Sequence, residues 1–160
     1  MAADLGLRLS DELVTFYAWH DGFGASGAVP MLWAPVSLAD GLENTAYKRT
    51  MAVDFARDNG LALEDVYPDT WLSPGSNPNL IGANVDLSGQ PSDPSPVCSI
   101  YLPDLGSPDY FVALIPSWTE YVATWVELWD RGCYGWEDAG VTWRNKPEDF
   151  YLRDPGDQLF

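Results

Sequence analysis

The run from Tyr110 to Gly132 puts the strongest constraint on the fold. Tyr110 to Ile115 reads YFVALI, an uninterrupted apolar run suited to a strand buried on both faces. Pro116 closes it, and Ser117-x-x-Glu120 is a capping box, which satisfies free N–H groups at a helix start. Trp118, Tyr121, Val122, Trp125, Leu128 and Trp129 then fall at i, i+3, i+4, i+7, i+10 and i+11, one broad apolar stripe. Arg131 meets the negative end of the helix dipole, and Gly132 stops the helix. Helical spacing places Trp118, Trp125 and Trp129 in a core. Packing this stripe on a sheet buries several aromatic side chains, each worth roughly 1.5–3 kcal/mol.

The upstream chain supplies that sheet and two more helices. Ser10 is an N-cap followed by Asp11 and Glu12, where the helix dipole favours carboxylates. Leu13, Phe16, Tyr17 and His20 share one face, and Asp21-Gly22 ends a helix of about residues 10–20. A Gly-rich loop leads to a short strand at Met31-Leu32-Trp33, ended by Pro35. Ser37 caps a second helix from Leu38 to Asn59, on which Tyr47, Met51 and Phe55 share a face. Trp71-Leu72 precedes a Pro/Gly/Asn loop. Ile81, Ala83, Val85 and Leu87 alternate with Gly82, Asn84 and Asp86, the pattern of a half-buried strand. Val97 to Leu102 is a further strand. The order of elements predicts an α+β fold, an antiparallel sheet packed against helices, in one domain of residues 1–160. Its core is residues 9–131. The extension 132–160 holds Tyr134, Trp136, Trp143, Phe150 and Tyr151, too aromatic for a free tail, and is expected to pack back.

Charge bounds the function. No Lys, Arg or His occurs from residue 58 to residue 130, while that stretch carries eleven carboxylates. The whole chain has a net charge of −16. Such a surface repels nucleic acid and anionic membrane and speeds encounter with basic partners. It lacks the side chains most used for proton transfer or for holding anions. A salt-adapted lineage gives the same composition, so acidity has two readings, adaptation or a basic protein partner.

Other chemistry finds little support. His20 is the sole histidine, and no G-x-S-x-G nucleophile motif, phosphate loop or EF-hand spacing occurs. Two Cys and one His are too few for a ready zinc site, so no metal or cofactor is expected, and Cys98 and Cys133 read as reduced structural thiols. The 24 acids make chance carboxylate pairs common, and no motif raises one pair to a glycosidase site. No apolar stretch reaches the ~20 residues of a membrane span, and the first residues show no secretory pattern, so a cytoplasmic location is expected.

A set of ordered motifs lies in this frame: Leu9-Ser-Asp-Glu-Leu, then His20-Asp21-Gly22, Trp71-Leu72, Ala83-Asn84-Val85-Asp86-Leu87, Pro96-Val97, and Ser117-Trp118-Thr119-Glu120-Tyr121-Val122. Together they resemble the SUKH superfamily of fungal cell-wall-synthesis regulators and bacterial immunity proteins, over roughly residues 9–130. Ser10 stands where the family has Pro, and His20-Asp21-Gly22 where it has Asn-Gly. Only eight residues precede Leu9, so the family's leading helix is expected to be nearly absent. The resemblance implies a non-catalytic protein-binding domain, an immunity protein that occludes a toxin, nucleases included. Its alternatives are a regulatory scaffold and, further off, a carbohydrate-active enzyme. Asp86, Asp93, Asp104 and Asp109 are the candidate contacts for a basic partner, with Trp71 as an aromatic anchor or else a core residue at the sheet edge.

Overall fold

The computed structural model describes residues 2–22, 35–75, 83–100, 111–137 and 140–144. After a short 3₁₀ turn at Ala3–Leu5 come α1 (Asp11–Trp19) and α2 (Leu38–Asn59). Strands β1 (Trp71–Leu72), β2 (Asn84–Asp86), β3 (Val97–Ile100) and β4 (Phe111–Ile115) precede α3 (Trp118–Asp130), and β5 (Tyr134–Glu137) and β6 (Gly140–Trp143) follow it. β1 to β4 pair in sequence order as one antiparallel sheet, and β5 and β6 form a separate hairpin. The fold is α+β, as the element order predicts.

Register decides which helix covers which face, because cross-strand partners point the same way. Leu72 opposes Val85, Val85 opposes Val97, and Val97 opposes Ile115. This face packs with Leu13 and Phe16 of α1 and with Trp118, Tyr121 and Trp125 of α3. Trp71 opposes Asp86, and Asn84 opposes Cys98, on the other face. There Trp71 and Cys98 join Ala52 and Ala56 of α2, with Val66 and Tyr67. Cys98 pairs with Ala113 rather than Leu114, so Leu114 is the extra residue of a bulge in β4.

The caps form where the sequence puts them. Ser10 Oγ accepts from Leu13 N, and Ser117 Oγ from Glu120 N at 3.0 Å. α2 is capped twice, by Ser37 Oγ on Asp40 N and by Asp21 Oδ1 on Leu38 N at 2.9 Å. Gly22 has φ +76°, and a Cβ there would lie 2.2 Å from the Val36 carbonyl carbon. The His20-Asp21-Gly22 turn therefore locks the end of α1 to the start of α2.

Two expectations are corrected, at Asn84 and at Trp129. Asn84, expected on an exposed face, is fully buried because α2 covers that face. Lys48 Nζ and Tyr67 Oη both donate to its Oδ1, at 3.4 and 3.3 Å. Tyr47 is 55% exposed, because α2 turns a small-residue face inward: Gly41, Thr45, Ala52 and Ala56, with Lys48. Thr45 Oγ1 there donates to Gly41 O and accepts from Ser73 N, both within 2.8 Å. Trp129, expected in the core, is 45% exposed, since the inward arc of α3 is Trp118, Tyr121, Trp125 and Leu128. Its ring instead lies 6.0 Å from that of Tyr134.

At the start of the extension Cys133 and Tyr134 are buried, and Arg144 N donates to Cys133 O at 2.8 Å. The expected strand at Met31–Trp33, the side chains of residues 111–114, 136 and 143, and residues 145–160 lie outside what is described.

Candidate protein-binding face

Two of the five predicted contact residues come together, and their carboxylates have local work. Asp86 is half-buried, and its Oδ1 accepts from Thr70 Oγ1 at 3.1 Å and Ser88 N at 2.9 Å, shaping the turn after β2. Asp93 is exposed, and its Oδ2 accepts from Gln90 N at 2.8 Å. Both line one small cleft with Arg8 and Ser10, of only about 10 Å³, room for a water and no ligand. Asp104 and Asp109 lie outside the described residues. Trp71 is 3% exposed, its ring edge-on to Tyr67 at 5.7 Å. It is a core residue under α2 and offers no surface to an anchor pocket.

The loop that carries Asp86 and Asp93 docks on the start of α1. Pro91 O accepts from Asp11 N at 2.8 Å. Glu12 Oε2 accepts from Ser95 N at 2.8 Å, while its Oε1 accepts from Thr119 N at 3.3 Å. One carboxylate thus holds the acidic loop and the N-terminus of α3 against α1, with charge of the sign that a helix start favours. The two helices begin side by side, and between them lies an open groove of about 530 Å³. Its floor is Phe16, Trp118, Val122 and Ala123, and Asp11, Glu12, Thr15 and Thr119 form its rim.

The floor is set before any partner arrives. The Phe16 and Trp118 rings meet edge-on at 5.2 Å, and Tyr121 and Trp125 continue the stack at 5.3 and 5.2 Å. Phe16 and Trp118 are buried, Val122 is half-buried and Ala123 is exposed. Exposed apolar residues extend the line on each helix. Val126, one turn beyond Val122, is 56% exposed, and Trp19, one turn beyond Thr15, is 77% exposed. Sequence reasoning missed this face. The signal was the apolar set 122, 126 and 129, offset from the buried arc of α3.

One exposed cation, Arg8, stands in the cleft beside Asp86 and Asp93. Among the described residues, Arg57 pairs with Asp54 and Asp58, and Arg131 with Glu127. Arg49 donates to the backbone carbonyls of Leu5 and Asp69. Lys48 is fully buried, and burial pushes its amine down to about 8. Burial, with Asp86 nearby, pushes the Cys98 thiol up to about 11, which keeps it an inert thiol. His20 is exposed at the end of α1, its ring 5.5 Å from Trp19.

Among the described residues no three His, Cys, Asp or Glu side chains are placed to hold a metal ion. No described helix is long and apolar enough to cross a membrane. No protein-family model matches the chain, and no curated protein or solved structure does.

Proposed function

We propose that this chain is a non-catalytic protein-binding domain of SUKH type, an immunity protein that neutralises a basic toxin in the cytoplasm. The observation that carries the reading is the stretch from residue 58 to residue 130, with eleven carboxylates and no cation. A toxin that acts on nucleic acid needs a positive groove, and an acidic domain can steer toward that groove and fill it. The mechanism is occlusion, with no bond made or broken. The preformed apolar groove beside the acidic loop supports the same reading, since binding surfaces combine an apolar centre with a charged rim.

The test is affinity capture from host cells at low ionic strength, followed by titration of the captured protein at about 0.1 and 1 M salt. Screening lengths fall from about 10 to 3 Å over that range. A basic partner whose Kd weakens by at least about tenfold is expected. A neutral or acidic partner, or binding indifferent to salt, overturns the electrostatic mechanism.

A further inference from the structure

We propose that the groove between α1 and α3 receives an amphipathic helix of the partner, apolar on the face it buries and rich in Lys and Arg along its edges. The inference rests on the protein-binding reading above and names the site and the shape of what it takes. Three observations favour a helix of that chemistry. The first is form: the groove lies between the first turns of two helices, and exposed apolar side chains stand one turn further along each, Val126 on α3 and Trp19 on α1. A line of that length, one to two turns, matches the spacing of i, i+3, i+4 and i+7 anchors. The second is charge: Asp11 and Glu12 stand on the rim, and Pro91 and Ser95 tie the loop bearing Asp93 to the same end. The third excludes a second copy: with −16 on each chain, joining two such grooves sets acid against acid.

The probe is a fluorescent amphipathic peptide of about 15 residues, long enough to hold a helix, with leucines at i, i+3, i+4 and i+7 and Lys at its flanks. Its anisotropy is titrated against the full chain at about 50 mM salt, beside a version with Glu in place of Lys and a proline-broken version. Saturable binding of the Lys peptide alone is expected. Ala123→Arg puts a long cationic side chain on the exposed part of the groove floor, where it blocks the apolar face and repels the flanking Lys, so affinity should fall by at least about tenfold. Val53→Arg, exposed on α2 across the sheet, should change it less than about twofold. Circular dichroism confirms that both variants fold. Equal binding of the Glu peptide, no saturable binding of any peptide, or equal affinity for wild type and Ala123→Arg overturns the proposal. So does a dimer in light scattering that Ala123→Arg dissolves, which would give the groove to a second copy. If a captured natural partner binds wild type and Ala123→Arg alike, the groove assignment fails and the protein-binding reading survives. If the peptide binds as expected and no basic protein is captured, the groove stands and the immunity reading fails.

Discussion

Replacing Lys48 by Met should stabilise the protein at pH 7. Lys48 is fully buried, and the hydrogen bond it makes is with the neutral Asn84 oxygen, at 3.4 Å. Burial lowers its amine from the ordinary 10.5 to about 8. Each decade of that gap is worth about 1.4 kcal/mol, so holding the ammonium inside costs about 3 kcal/mol at neutral pH. Losing the hydrogen bond gives back about 1 kcal/mol, and Tyr67 Oη still donates to Asn84. The expected net gain for Lys48→Met is about 2 kcal/mol. The sign with pH follows from the lowered value. Between pH 8 and 10.5 the unfolded chain binds the proton that the folded chain has released, so wild-type stability rises with pH there. Tyr17 and Tyr67, raised well above the ordinary 10 by burial, act oppositely. Their contribution is present below pH 10 and is lost above it, and the Cys98 thiol, raised from 9 to about 11, loses its own above pH 9, so stability should peak near pH 9. Urea unfolding followed by circular dichroism at pH 7 and 9.5 reads both effects. Wild type should gain stability at the higher pH, and Lys48→Met should be more stable at pH 7 and show no such gain, losing a little as the unfolded Cys98 thiol ionises. A destabilised Lys48→Met together with a flat wild type would refute a desolvated ammonium.

Two further substitutions test the joints that place the groove. Gly22→Ala drives a Cβ into the Val36 backbone at positive φ, and should destabilise by at least about 2 kcal/mol in the same urea assay, whereas a neutral result would mean the turn is not held there. Glu12→Gln keeps one acceptor for Ser95 N or Thr119 N and should cost about 1–2 kcal/mol; hydrogen exchange should show faster opening at the start of α3, and unchanged protection there would count against the bridge.

Local rules made much of the fold legible. Ser10, Ser37 and Ser117 cap the helices they were expected to cap, because an N-cap is decided within four residues. The bounds Leu38–Asn59 followed from Ser37 and Gly60 alone. The hairpin of β5 and β6 was missed, though Tyr134 and Trp136 alternate ahead of the sequence Asp138-Ala139-Gly140, because the tail was read by composition instead of period. Asn84 and Trp129 went wrong for a different reason. Asn84 is covered by α2 from afar in sequence, while Trp129 falls at the edge of the buried arc of α3, where its ring lies near that of Tyr134, five residues on. The candidate site was the least legible. Asp86 and Asp93 were recognisable as loop acids, but the groove forms where α1 and α3 meet across more than a hundred residues, through Glu12 with Thr119 and Phe16 with Trp118, and no local pattern encodes that meeting. Trp71 was open to two readings, an anchor or a core residue at the sheet edge, and its strand register decides for the core.

The central claim is tested most directly by toxicity relief. The basic protein captured at low salt is expressed alone in a naive cell and then together with this chain, and viable counts are compared. The account predicts killing by the partner alone and recovery on co-expression, with recovery weakened by Ala123→Arg. A partner harmless by itself, or one whose toxicity this chain leaves untouched, would contradict the immunity reading and turn the acidic face over to a scaffold role or to salt adaptation.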